Sequence, residues 1–200
     1  MRIGIIGSGH IGGTLTRRLS ALGHDVKVAN TRGPDSLRDL AEETGATPTM
    51  PEDAASDAEL VVLAVPLRAV PDLPSLDGKL VVDANNYYPG RDGQIAEIDD
   101  GMSSSRWVAN QHPGATVVKA FNTMNWNKLL GEGRPHGDHG RLAIPIAGDD
   151  DAAKATVSGL VDALGFDPVD AGGLDDSRRQ EPGSPVYGAD LDAERTRAAL

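Results

Sequence analysis

Residues 4–36 read "GIIGSGHIGGTLTRRLSALGHDVKVANTRGPDS". An apolar run stops at Gly7-Ser8-Gly9-His10-Ile11-Gly12, and a stretch with helical spacing follows. G-x-G-x-x-G alone is a weak signal, because glycine is common. Between a strand and a helix it becomes informative. Gly7 permits a tight turn, Gly9 lets the backbone approach a pyrophosphate, and Gly12 lets helix and strand pack closely. The helix N-terminus then offers free N–H groups and a positive dipole end to phosphates. Ser8, His10 and Ile11 belong to the same turn, with His10 at a permissive position within reach of phosphate or nicotinamide. The competing reading is a plain strand–turn–helix whose glycines serve packing only.

The next strand, "DVKVANTR", ends where the ribose of such a dinucleotide lies. Asp or Glu usually stands there to accept from a 2′-hydroxyl, and Arg accommodates a 2′-phosphate instead. Here the place reads Asn30-Thr31-Arg32, with Ser36 and Arg38 close behind. A carboxylate would repel a 2′-phosphate, whereas Thr31 donates a hydroxyl and Arg32 a charge-assisted fork. The missing carboxylate therefore points to NADP(H) rather than NAD. The alternative is that Arg32 is an ordinary solvated surface residue.

Short apolar runs alternate with helical stretches along the whole chain, which predicts a parallel sheet covered by helices. Strands are expected at "RIGIIG", "DVKVAN", "LVVLAVP", "KLVVDAN", "TVVKAF", "LAIPIAG" and "FDPVDAG", with a weak one at "ATPT". Helices are expected at "IGGTLTRRLSALG", "SLRDLAEET", "PEDAASDA", "SSRWVANQ" and "DAAKATVSGLVDALG". In the last, Asp149 to Asp151 supply N-cap acceptors and Gly165 the stop. The fold class that follows is α/β, a Rossmann-type, doubly wound, mostly parallel sheet in a single domain, with residues 174–200 as a C-terminal tail. Two long polar loops, "NNYYPGRDGQIAEIDDGM" and "NTMNWNKLLGEGRPHGDHG", follow strand C-termini, the side on which open parallel sheets bind ligands. The tail has Pro and Gly spacing that forbids a regular element until about Asp190.

Other strand ends supply the rest of the expected site. Ala64, Val65 and Pro66 are small and apolar, suited to packing near a ribose or ring. Asn85 and Asn122-Thr123-Met124 close two further strands. The amides are equally consistent with orienting a carboxamide and with local turn roles. No His or Lys stands firmly placed as an acid–base partner, so no catalytic side chain is assigned. Lys119 lies within a strand and is expected to pair with a carboxylate. His136, Asp138 and His139 do not complete a coordination set, and no metal is expected. Direct hydride transfer between cofactor rings suits an inventory without a strong acid or base. A reductase of a small imine or carbonyl would want a proton donor, for which Tyr87, Tyr88 and Tyr187 are the available phenols. Arg178 and Arg179 are a surface pair on a mobile tail in the plain reading, and a clamp for an anionic substrate tail in the other.

The chain has 200 residues, 39 % hydrophobic and 24 % charged, with no cysteine. Thiolate catalysis and Cys-held metals are thereby excluded. A formal charge of −11 repels phosphate backbones, so nucleic acid is not an expected partner. No apolar run is long enough for a membrane span, and a cytoplasmic location without a signal peptide is expected.

Taken together, "MRIGIIGSGHIGGTLTRRLSALGHDVKVANTRGPDSL", "VVLAVP", "VVDANNYYP", "VVKAFNTM" and "IAGDDDAAKATV" resemble the F420-dependent NADP oxidoreductase family. The likeness covers roughly residues 1 to 175, and "ANTRGP", "NTM" and "AGDD" in this order make it specific. It implies NADP(H) lying across the strand ends, with Thr31 and Arg32 on the 2′-phosphate. It implies coenzyme F420, or a flavin, as co-substrate near Asn122, Thr123 and Met124, and is compatible with a homodimer. Archaeal F420 enzymes carry an added residue in the Gly-rich turn and a His where Asn122 stands here. The "YYPGRDG" loop and "RRQEPGSPVYG" tail also differ. A non-catalytic NADP(H)-binding sensor or scaffold shares the turn and Arg32. In such a module the tail could fill the space that an enzyme keeps open for a second ring.

Overall fold

The computed structural model describes residues 1–200. Eight strands form one sheet: β1 (Arg2–Ile6), β2 (Asp25–Ala29), β3 (Thr47–Thr49), β4 (Leu60–Leu63), β5 (Leu80–Asp83), β6 (Thr116–Lys119), β7 (Ala143–Gly148) and β8 (Asp167–Asp170). Their order is β3-β2-β1-β4-β5-β6-β7-β8, so the winding reverses between β1 and β4. All neighbours are parallel except β6 and β7, where Lys119 opposes Ala147 in an antiparallel pair. The weak run at "ATPT" is the edge strand β3, and its proline is tolerated because an edge has one unpaired side.

Helices cover both faces: α1 (His10–Ala21), α2 (Arg38–Thr44), α3 (Pro51–Ser56), α4 (Pro89–Asp92), α5 (Ala96–Asp99), α6 (Ser104–Gln111), α7 (Trp126–Gly131), α8 (Asp151–Ala163) and α9 (Ala193–Ala199). Strand alternation sorts the core into two layers. Ile3, Ile5, Val28, Val62 and Val82 pack with Leu15 and Leu19 of α1 and Val157 and Val161 of α8. Their neighbours Ile6, Val61, Leu63 and Val81 pack on the other face with Ala54 of α3 and Trp107 and Val108 of α6. Each fully buried aliphatic side chain contributes about 1.5–3 kcal/mol. In α8, Asp150 caps the N-terminus by accepting from Ala153 N–H, and Gly165 follows the end at φ 93°.

Three expectations need correction. The stretch after β5 is not one continuous loop, because it contains α4 and α5. The stretch after β6 contains α7, capped by the Asn125 side chain, which accepts from Asn127 N–H. Both helices α4 and α7 are only one or two turns long, too short for hydrophobic periodicity to reveal. The tail forms a 3₁₀ turn over Asp175–Gln180 well before Asp190, and it is docked. Arg178 donates to Gly101 O at 2.6 Å, and Arg179 donates to Ala171 O at 2.7 Å and to Leu200 O at 3.1 Å. These two arginines therefore pin the tail and are not a free surface pair. Further 3₁₀ turns at Pro34–Leu37 and Leu67–Asp72 follow β2 and β4. No helix is long and apolar enough to cross a membrane.

Candidate functional site

The Gly-rich turn lies at the C-terminal end of β1, where the strand order reverses. Gly7 takes φ 109°, and a Cβ there would lie 2.1 Å from Ala64 O. A Cβ on Gly12 would lie 1.9 Å from Gly7 O. Both glycines are thus demanded by packing alone. Gly9 differs. Its φ is −70°, open to any residue, and nothing lies within 4 Å of where its Cβ would be. The fold does not require glycine there, and the space over it is free. Gly9 is also the N-cap of α1 and has no side chain to cap it, so the first N–H groups of the helix lack a side-chain acceptor.

Asn30 is almost buried at the end of β2 and ties that end to the turn. Its Nδ2 donates to Ser8 Oγ at 2.9 Å and to Ser36 Oγ at 3.0 Å, while its Oδ1 accepts from Arg32 N–H at 2.8 Å. An aspartate could accept from Arg32 N–H but could not donate to Ser8. The side chain of residue 30 thus organises the loop itself, through both serine hydroxyls and the Arg32 N–H. Thr31 and Arg32 are exposed beside it, and no protein group engages the Arg32 guanidinium. Ser8, Gly9, His10, Thr14, Arg17, Arg32 and Trp126 line one polar groove on this side. Arg17, which sequence reasoning passed over, is held there by Glu43 through two bonds of 2.7 Å. Its helical position predicts only a surface residue, and only the approach of α2 shows the pairing.

Across the turn lies a cavity of about 400 Å³. Gly9, His10 and Ile11 form one wall, Ala64, Val65 and Pro66 the next, and Asn85, Asn122 and Met124 the floor. The buried Asn85 accepts from Val65 N–H at 2.8 Å through Oδ1, but its Nδ2 has no protein partner. Asn122 has a different fate. Its Nδ2 donates to Asn86 Oδ1 at 3.0 Å and to Gln180 O at 2.6 Å, and its Oδ1 accepts from Gln180 Nε2 at 3.1 Å. That carboxamide is spent on holding the tail. Thr123 is buried and receives the Gly188 N–H on its carbonyl. The residue before them, Phe121, sits at φ 64°, a left-handed conformation uncommon for a bulky side chain.

The floor rests on an ionic network. Lys119 pairs with Asp83 at 3.1 Å, and both side chains are fully buried. Lys119 Nζ also donates to Asn85 O at 2.5 Å, and Asp83 accepts from Ser105 Oγ at 2.6 Å and from Asn85 N–H at 3.0 Å. The expected carboxylate pairing of Lys119 is thus present, and it fixes Asn85. The remaining wall was not foreseen as a unit: Asn86, Tyr88, Arg91, Trp126 and Tyr187. Trp126 stacks on His10 with ring centroids 4.8 Å apart and planes 13° from parallel. His136 lies away from the cavity, against Asp162 and Arg141.

Comparison with known proteins agrees with this architecture. The family described as NADP oxidoreductase, coenzyme F420-dependent, matches residues 2–87. A hypothetical protein from Sinorhizobium meliloti superposes with a TM-score of 0.81 at 34 % identity, over 96 % of this chain and 95 % of its own. An Arthrobacter sp. FB24 protein described as a candidate F420-dependent NADP-reductase gives 0.75 at 30 % identity, over 89 % and 87 %. The metalloreductase STEAP3 of Rattus norvegicus is 33 % identical over 184 residues, which is 90 % of this chain but 36 % of that protein. The chain spans between 35 and 55 % of the length of the curated relatives it matches. Likeness over nearly the full length of two solved proteins, joined to the family match through the Gly-rich turn and β5, shows that this chain belongs to the coenzyme F420-dependent NADP oxidoreductase family, a family of NAD(P)-dependent oxidoreductases.

Proposed function

We propose that the chain is an NADP(H)-dependent oxidoreductase that passes hydride between NADPH and a ring acceptor, coenzyme F420 or a flavin. One observation carries the reading: Gly9 is bare where neither packing nor backbone angle asks for glycine. A Cβ there would fill the space through which a pyrophosphate approaches uncapped helix N–H groups. NADP(H), when bound, supplies or receives the hydride. The protein's part is to bind, orient and exclude water. Gly7 to Gly12 hold the pyrophosphate. Thr31 and Arg32, displayed by the Asn30–Ser8–Ser36 hydrogen bonds, hold the 2′-phosphate. The orphan Nδ2 of Asn85 donates to the nicotinamide end, and Ala64, Val65 and Pro66 pack beside it. Asn122 acts by placing the tail, and Met124 offers an apolar surface to the acceptor.

A non-catalytic NADP(H)-binding module is the second reading. The tail weighs against it, because Tyr187 lines the cavity wall and the space beside Asn85 stays open. The test is rapid mixing of protein, NADPH and oxidised F420, followed by deazaflavin absorbance, with free flavin in parallel. Bleaching of F420 supports the proposal, and bleaching of flavin alone moves the acceptor to flavin. No bleaching of either, with NADPH binding that weakens in Arg32→Ala, keeps the dinucleotide site and favours the binding module or a reductase of another small molecule.

A further inference from the structure

The three tyrosines are used in two ways. Tyr87 is tied into the protein: its hydroxyl contacts Gly93 O at 3.1 Å and Asp99 Oδ1 at 3.0 Å and accepts from Ile95 N–H at 3.0 Å. Tyr88 and Tyr187 hydrogen-bond only to each other through their hydroxyls, and both line the cavity. They come from segments 99 residues apart in the chain. Tyr88 immediately precedes α4. Tyr187 is delivered by the tail, which Gln180 anchors on Asn122 and Gly188 N–H on Thr123 O. Two phenols whose only protein partner is one another, at the open wall of a cavity where Tyr88 is exposed, do nothing evident for the fold.

We propose that the Tyr88–Tyr187 pair is a proton donor, and that the cavity also reduces compact aldehydes or ketones at the expense of NADPH. The inference rests on the dinucleotide reading of the site above. The balance is simple. Hydride from the reduced nicotinamide forms a C–H bond at the carbonyl carbon, and the C=O π pair moves to oxygen. That oxygen takes a phenol proton, and the pair is reprotonated from water, which reaches the 37 % exposed Tyr88. The dinucleotide is oxidised and the carbonyl reduced by two electrons.

The groups around Tyr88 suit this role. Burial and the Tyr187 hydroxyl push its phenol up to about 12. The Arg91 guanidinium lies 5.0 Å from its ring centroid, but Arg91 is paired with Asp92, and Asp92 also accepts from Tyr88 N–H. The phenol thus keeps its proton at neutral pH. It remains a far stronger acid than an alcohol, so transfer to a nascent alkoxide runs downhill. A reduced deazaflavin or flavin ring makes no such strong base, which is why the pair points to a carbonyl.

The test uses the full chain with NADPH and pyridine-3-carboxaldehyde, following NADPH absorbance. Wild type is expected to turn over. Tyr88→Phe and Tyr187→Phe together are expected to lower kcat about 100-fold with little change in KM, as for a lost general acid. Ultraviolet titration of the ligand-free protein gives a readout independent of turnover. One phenol should ionise near 12 in wild type and fall part of the way in Tyr187→Phe, where burial still acts but the partner hydroxyl is gone. No aldehyde reduction by wild type, full rate in the double variant, or an unmoved titration would overturn the inference. Aldehyde turnover without F420 or flavin bleaching sinks the acceptor named above and leaves the pair standing. Bleaching without aldehyde turnover does the reverse.

Discussion

At the β1–α1 end of the cavity, the lining residues Gly9, His10 and Ile11 follow one another in the chain. At the far end, Asn86, Met124 and Tyr187 come from three stretches far apart in sequence and meet only after the tail docks. The first end is set by backbone angles and by contacts that Gly7 and Gly12 alone permit. The second is set by a few side-chain bonds, chiefly those of Asn122 with Gln180 and of Lys119 with Asp83. In the function proposed above, cofactor recognition is built into one local turn, whereas acceptor recognition depends on long-range assembly.

The largest effect expected from breaking this division is at Asp83. Asp83→Ala leaves Lys119 buried without its partner and should cost about 3–5 kcal/mol. Denaturant unfolding checks it, and a cost under about 1 kcal/mol would mean that the far end does not rest on this pair.

Next come the glycines, which test the local end against itself. Gly12→Ala forces a Cβ against the Gly7 carbonyl and should cost about 1–3 kcal/mol of stability along with NADPH binding. Gly9→Ala should leave the unfolding midpoint unchanged and still weaken NADPH binding. Equal stability losses in the two variants would make all three glycines packing residues. Calorimetric titration and thermal melts on the same samples separate the outcomes.

Arg32→Ala should then weaken NADPH by roughly 10- to 100-fold, the loss of a charge-assisted contact of about 1.5–3 kcal/mol, and leave NADH nearly unaffected. Parallel dissociation constants for the two dinucleotides decide this. Equal losses for both would remove Arg32 from the 2′-phosphate.

The smallest effect concerns how the tail is held in acid. Asp149 accepts from Leu174 N–H at 2.8 Å and pairs with Arg106 at 2.8 Å, and these hold its carboxyl below the ordinary value. A depressed folded-state value stabilises fully above the ordinary carboxylate range and is lost as pH falls through the folded value. The stability gap between wild type and Asp149→Asn should therefore be widest near neutrality and close in acid below that value. Solvent exposure of the carboxylate keeps the gap small. A gap that widens on acidification would contradict the assignment.

Much of this was legible beforehand, for identifiable reasons. β1 and β4 to β7 show as apolar runs because strands buried on both faces of a sheet must be apolar along their length, whereas the edge strands β3 and β8 leave a weaker mark. Lys119 inside such a run pointed to a carboxylate partner, and Asp83 is that partner. Other features left no such mark. "LAIPIAG" reads the same whether β7 runs parallel or antiparallel to β6. Tyr87 and Tyr88 are adjacent and chemically identical, yet one is locked to Gly93 and Asp99 and the other faces the cavity. Asn85 and Asn122 end equivalent strands, but only Asn85 keeps a free donor.

By itself, then, the sequence determined the doubly wound sheet, the Gly-rich turn that opens α1 and the cationic residue at the second strand end. These depend on side-chain alternation, on glycine's missing Cβ and on the choice of Arg over a carboxylate, all properties of short stretches. Only the tertiary structure decided that Asn30 buckles the turn, that Asn122 serves the tail, and that Tyr88 meets Tyr187 at the cavity. Those outcomes depend on which polar atoms find partners when distant segments pack, and a short stretch of chain carries no record of its distant neighbours.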